Sequence, residues 1–197
     1  MNKIKKVLCS VVAVIGVITG GVAVQPNTDA YYSPIGKVVI DGQDLGELKI
    51  SPAGLALITN AEGCRLDPYK CPAGLITNGI GNTHGVPNKV IDEKQAAIDF
   101  VRNIQAAEQC LDSVVPKGET LTQGQQDAFT SFIFNTGCTR FKTNRNGSKT
   151  QIARLIEHGE CSLACDQLNR WVYGGGKKLN GLVTRRGDET ERCHALD

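Results

Sequence analysis

The stretch EGCRLDPYKCPAGLITNGIGNT, residues 62–83, decides the fold. It opens on a carboxylate, is broken by Pro68, Pro72, Gly74, Gly79 and Gly81, and carries no apolar stripe of helical period. Short runs such as Leu75-Ile76-Thr77 between such breakers predict a small β-hairpin or meander reaching to Gly85. Just upstream, Ser51-Pro52 is a helix N-cap followed by proline at the first helical position. Leu55, Ile58 and Glu62 share one side of that helix, and Gly63 is suited to end it. Glu62 therefore stands on an apolar stripe at a helix C-terminus. Desolvation and the negative end of the helix dipole both favour its neutral acid form there.

Downstream the helical period returns. Ala97, Val101, Ile104, Ala107 and Leu111 form a stripe that predicts a helix near 92–114. A second helix is expected from Thr122 to Gly137, with Phe129, Phe132 and Ile133 inward. Shorter helices are expected near 148–158, 162–172 and 183–193. Residues 26–50, with Pro26, Asn27 and Pro34, read as a connector holding one short strand at Lys37–Ile40. The fold class is α+β: one small sheet and a predominantly helical body, with a cleft between them.

Eight cysteines in 197 residues suit an oxidising compartment better than a reducing cytosol. Cys64 and Cys71 are too far apart for a zinc knuckle. Cys161 and Cys165 lack a second close pair, and the histidines are only His84, His158 and His194. Disulfides are expected, with no metal and no cofactor, and His84 reads as a loop residue. Net charge is +2, and setting aside Lys3, Lys5 and Lys6 leaves 19 basic against 20 acidic residues. Arg140 to Arg186 holds ten Lys and Arg against Glu157, Glu160 and Asp166, a surface able to hold an anionic polymer unless its charges are scattered. No nucleic-acid partner is expected.

Those three lysines precede a charge-free run, of which Val7 to Val24 is the apolar part. It is slightly long for a secretory apolar region and slightly short for a comfortable span. Its glycines, alanines, serine and threonine make insertion weak. The residues alone leave three readings open: a cleaved signal peptide, a permanent anchor, and a signal anchor that later slips out of the bilayer.

The segment at 62–83 resembles the active-site segment of phage-type lysozymes, glycoside hydrolase family 24. The pattern E-G-x-R-L-x-x-Y precedes Cys71, and T-x-G-x-G-x-T follows from Thr77. Leu121-Thr122-Gln123, Asp127-Ala128-Phe129 and Phe134-Asn135-Thr136-Gly137 resemble that family's central helix. Arg170-Trp171 and Gly181 to Arg186 resemble its C-terminal end, so the likeness runs from about 51 to 193. It implies a lysozyme-like fold, with Glu62 as general acid, Cys71 where most members carry Asp, Thr77 helping to hold a water, and inversion at the anomeric carbon. It also implies that Cys110 pairs with Cys138. Cys193 is expected to pair with Cys161 or Cys165, leaving one thiol among the five C-terminal cysteines.

The arrangement further resembles signal-anchor-release endolysins, which picks the third reading of the N-terminus. Residues 1–25 are then the membrane segment, 26–50 the connector and 51–197 the catalytic domain. Cys9, Cys64 and Cys71 become a regulatory set. The expected partners are peptidoglycan glycan strands and, before release, inner-membrane lipid along residues 7–24. A monomer is expected, held at the host inner membrane facing the periplasm and then released into it. The expected activity is muramidase action between N-acetylmuramic acid and N-acetylglucosamine, leading to lysis. The alternative is a catalytically silent wall-binding protein, since the usual Asp is absent.

Overall fold

The computed structural model describes residues 5–21, 25, 28–71 and 74–195. Residues 7–9 are extended, and Ser10 then caps an eight-residue helix, α1 (Val11–Ile18), its hydroxyl accepting from the Ala13 N–H at 3.2 Å. Among the described residues no helix is long and apolar enough to cross a membrane. Among the described residues, the run expected to form a membrane helix over 7–24 makes only this eight-residue helix, and its residues 22–24 lie outside those described. The reason is packing. Val14 and Ile18, spaced i and i+4, are buried against the rest of the chain, so side chains suited to lipid enter a protein core.

Part of the expected connector is a hairpin, β1 (Gly36–Ile40) and β2 (Gln43–Leu48). Asp41 and Gly42 make its turn with φ of 50° and 76°, the left-handed pair that a two-residue I′ turn requires. Val38, Ile40 and Leu48 point inward. Next comes α2 (Pro52–Ala61), with the Ser51 hydroxyl accepting from the Gly54 N–H as the Ser-Pro signal anticipates. It stops one residue early. Glu62 is its extended C-cap, and Gly63 does not take the left-handed conformation expected of it.

The expected hairpin is β3 (Cys64–Lys70) and β4 (Ile76–Ile80), with Cys64 opposite Ile80 and Tyr69 opposite Thr77. Then α3 (Glu93–Asp112) starts on Asp92, and α4 (Gln123–Thr136) starts on a capping box of Thr122 and Gln125. The remainder is α5 (Cys138–Lys142), α6 (Gln151–Glu157), α7 (Cys161–Gln167), a two-rung hairpin of β5 (Tyr173–Gly174) and β6 (Lys177–Lys178), and α8 (Asn180–Cys193). Neither α5 nor the β5–β6 hairpin was expected.

Two apolar cores result. The first gathers α1, the β1–β2 and β3–β4 hairpins, α2 and the start of α3; the second gathers the end of α3 with α4 to α8. Along α3, Ala96 to Ile104 belong to the first core and Ala107 to Leu111 to the second. Phe134 touches both, with its ring edge-on to Phe100 at 5.5 Å. This is the expected α+β architecture, two lobes joined by one helix.

Candidate active site

Glu62 lies where the lobes meet. Its N–H still donates to the Ile58 carbonyl at 3.1 Å, so the last turn of α2 fixes its backbone while the chain turns into β3. The carboxylate is not simply desolvated, as the sequence suggested; its side chain is 24% exposed and paired. Arg185 of α8 donates from Nη1 to Glu62 Oε1 at 2.7 Å. The other oxygen, Oε2, faces Gly81, where a Cβ would sit 3.5 Å from it and 3.6 Å from the Phe134 ring. Gly81 has φ of 65°, so the backbone itself calls for glycine there.

Arg185 is held from behind. Its Nε donates to Glu189 Oε1 at 3.1 Å and its Nη2 to the Ser131 carbonyl at 3.2 Å. Ser131 Oγ donates to the same Glu189 oxygen at 2.7 Å. Arg186 Nη1 satisfies Glu189 Oε2, and its Nη2 donates to Asn135 Oδ1. Burial lowers the Arg186 pKa from its ordinary value, Glu189 opposing that shift, and its guanidinium lies 4.7 Å over the Phe132 ring. The result is an alternating chain of four charges, Glu62, Arg185, Glu189 and Arg186, in which each buried member has a counter-charge.

Sequence reasoning missed this row. Arg185 and Arg186 were counted into a basic surface, but they are 5% and 1% exposed and face inward. The available signal was the spacing of Arg185 and Arg186 to Glu189, four and three residues, on an amphipathic helix. The basic surface itself is broken further by Lys149, which pairs with Glu157. Arg140, Arg145, Lys177 and Lys178 remain exposed.

Cys71 follows β3 at the hairpin tip, with its N–H donating to the Leu75 carbonyl at 2.9 Å. It is half-buried and outside any disulfide. Thr77 is buried, and its hydroxyl donates to the Leu75 carbonyl at 3.2 Å. Tyr69 stands across from Thr77, and its pKa is raised by burial and then by the charges of Cys71 and Glu62. From Gly81 a cleft of about 310 Å³ continues along Thr83, His84, Asn103 and Phe134. His84 is a loop residue on its rim.

Three disulfides order the remaining sulfur. Cys110 bonds Cys138, with Cα atoms 5.8 Å apart, and Cys165 bonds Cys193 at 5.7 Å. The choice between Cys161 and Cys165 follows from α7: Cys165 faces the core beside α8, while Cys161 is a half-buried thiol whose pKa is raised by burial and Glu119. The third bond joins Cys9 to Cys64, with Cα atoms 5.2 Å apart. Among the described residues no three His, Cys, Asp or Glu side chains are grouped to share a metal ion.

The phage lysozyme family model matches residues 59–189. The SAR-endolysin of Haemophilus phage HP1 is 38% identical over 151 residues, which cover 74% of this chain and 81% of that protein. The crystal structure of the active form of phage P1 endolysin Lyz superposes with a TM-score of 0.72 at 34% identity, covering 94% of each chain. The secreted inactive form of P1 endolysin Lyz gives 0.52 at 39% identity, over 72% of this chain and 92% of that one. The helix-end glutamate, the hairpin below it and a family match across both lobes leave one conclusion: the chain belongs to the phage lysozyme family and is an endolysin, a lysozyme-type glycoside hydrolase acting on peptidoglycan.

Proposed function

We propose that the enzyme hydrolyses the β-1,4 bond between N-acetylmuramic acid and N-acetylglucosamine with inversion, using Glu62 as acid and Cys71 and Thr77 to hold the attacking water. The Arg185 contact supports this most directly. By occupying Oε1 it fixes the plane of the Glu62 carboxyl, and Oε2 beside Gly81 is left to carry a proton to the glycosidic oxygen. Thr77 spends its hydroxyl proton on Leu75, so towards a water it offers lone pairs only. Such a water gives one hydrogen to Thr77 and the other to a Cys71 thiolate, leaving its own lone pair for the anomeric carbon. The silent wall-binding alternative is not favoured, because the relatives carry the names of lytic enzymes.

The proposal includes control by location. Before release, residues 1–25 lie in the host inner membrane with 26–50 as connector, and 51–197 face the periplasm as an inactive catalytic domain with a Cys64–Cys71 disulfide. An extended run from Cys64 to Cys71 would span roughly 23 Å at about 3.3 Å per residue, whereas a disulfide needs Cα atoms within about 7 Å. That bond therefore bends β3 and occupies the catalytic-position sulfur. Once the weak anchor leaves the lipid, Cys9 exchanges onto Cys64 and Cys71 leaves as a thiolate; the Cys9–Cys64 bond is the pairing found here. The released enzyme works as a monomer in the periplasm.

Two substitutions test the scheme. Cys9→Ser should reach the periplasm yet leave cells intact until a reductant is added. Cys71→Asp, which cannot be caged by sulfur, should lyse without reductant or release. Lysis by Cys9→Ser on the wild-type schedule, measured as turbidity loss, would remove the exchange. A folded but inactive Cys71→Asp would remove the water-holding role from this position.

A further inference from the structure

The outer edge of β3, away from β4, is occupied by the chain's own N-terminal segment. Leu66 N–H donates to the Val7 carbonyl at 2.8 Å, Cys9 N–H donates to the Cys64 carbonyl at 3.3 Å, and Leu8 stands opposite Arg65. This added strand is cut short by a competing contact. In a regular antiparallel pair the Leu66 carbonyl would accept from the Val7 N–H. Here it accepts instead from the Ile91 N–H at 3.1 Å. The Val7 N–H would be orphaned, and Asp67 Oδ1 takes it at 2.7 Å.

Asp67 is built for that task. Its side chain is 1% exposed and gripped by Arg65, with Nε 2.9 Å from Oδ1 and Nη2 2.5 Å from Oδ2. The Arg65 guanidinium is itself seated 4.5 Å over the Tyr69 ring. The Arg65 hydrogen bonds hold the Asp67 pKa down at about 2, so the acceptor is charged at any pH a cell offers. Three residues on, the Ser10 N–H donates to Glu93 Oε1 at 3.2 Å just before α1 begins. Two carboxylates bracket the tetrapeptide Val7–Ser10.

An open strand edge accepts almost any backbone, so the ladder alone does not choose which residues dock. A slip of one residue would turn Cys9 to the opposite face. A slip of two would keep the face but carry Cys9 roughly 7 Å along β3, away from Cys64. With both carboxylates filled in the observed register, α1 begins where Val14 and Ile18 reach the first core and Cys9 meets Cys64.

We infer that Asp67 and Glu93 form a receiving site for Val7–Ser10, and that this site directs Cys9 to the sulfur of Cys64 instead of that of Cys71. The inference rests on the disulfide exchange proposed above. In that step Cys9 gives its proton to water, and its thiolate forms the Cys9–Cys64 bond as the Cys64–Cys71 bond breaks. The electron pair departs on Cys71 as a thiolate, with no net oxidation or reduction. Attack on the other sulfur would give Cys9–Cys71, free Cys64 instead, and leave the catalytic-position sulfur blocked. Asp67 is a positioning residue in this step.

The test uses full-length caged protein purified in detergent. Detergent is removed, samples are quenched by thiol alkylation at intervals, and disulfides are mapped by mass spectrometry. Asp67→Asn keeps the shape but loses the charged acceptor, so Cys9–Cys64 should form about tenfold more slowly, with Cys9–Cys71 appearing beside it. Val7→Pro removes the donor instead. Because Val7 lies outside the β3–β4 hairpin, this variant decides the matter even if Asp67→Asn does not fold. Wild-type rate and wild-type product in Val7→Pro, or in a folded Asp67→Asn, would overturn the receiving site and leave the exchange standing. A Cys9→Ser protein that frees Cys71 at the wild-type rate would overturn the exchange itself.

Discussion

The two lobes share α3 but are braced in different ways. In the helical lobe Cys110–Cys138 ties the end of α3 to α5, and Cys165–Cys193 ties α7 to α8. Three of its buried charges, Arg185, Arg186 and Glu189, satisfy one another within a few residues of α8, and Arg192 of α8 pairs with buried Asp127 of α4. The β lobe has one disulfide, and that bond reaches a segment held otherwise by an edge strand, two carboxylates and a short helix. The helical lobe thus offers a fixed arm, Arg185, to a lobe whose Cys9–Cys64 bond is the one that the proposed exchange would form.

Glu62 joins the two lobes, because it belongs to the β lobe by sequence and to the helical lobe by its ion pair. Glu62→Gln keeps an oxygen for Arg185 to bond and should fold normally by circular dichroism. It has no proton to give, so lysis of permeabilised cells should fall by about 100-fold or more, the usual worth of a general acid. Activity above roughly a few per cent of wild type would take Glu62 out of that role.

Arg185→Met tests the same junction through stability. It strips Glu62 of its partner and leaves buried Glu189 with Arg186 and Ser131 alone. Breaking a buried ion pair from one side costs about 3–5 kcal/mol, and urea unfolding should register most of that. A loss under about 1 kcal/mol, the range of an exposed pair, would mean that the lobes are not joined through this residue.

Much of this was legible in the sequence because the signals are local. Ser51-Pro52, Asp92 and Thr122 each announce a helix start, and the stripe from Ala97 to Leu111 is buried as its spacing requires. Asp41-Gly42 was also a readable turn signal, hidden by the prolines and glycines that made its surroundings look like a connector. The frame of the candidate site was visible as the segment 62–83, yet the partner of Glu62 was not. Arg185 is 123 residues away, and an arginine on a polar helix looks the same whether it faces solvent or a buried carboxylate. The N-terminal run was ambiguous for a different reason. Val14 and Ile18 satisfy the same apolar requirement in lipid and in a protein core, so composition alone cannot tell the two destinations apart.

The smallest predicted effect concerns the helix that the lobes share. Glu108 sits on α3 where it leaves one core for the other, and its side chain is almost fully buried. Its Oε1 accepts from the N–H groups of Lys49 and Ile50 at 2.9 and 2.8 Å, closing the backbone between β2 and α2. Burial pushes its pKa from 4.5 up to about 7, against those two donors and Lys49, with Asp112 adding to the rise. Because the folded value lies above the unfolded one, the favourable contribution is complete below pH 4.5 and is lost as pH rises through about 7. Glu108→Gln presents a carbonyl oxygen to the same two donors and does not ionise. Between pH 4.5 and 7.5 the wild type should therefore lose on the order of 2–3 kcal/mol relative to this variant, read from urea midpoints at the two pH values. Parallel pH dependences in the two proteins would show that α3 carries no titrating joint. Divergence of the expected sign would locate pH sensitivity in the connection between the lobes, away from Cys9, Cys64 and Cys71.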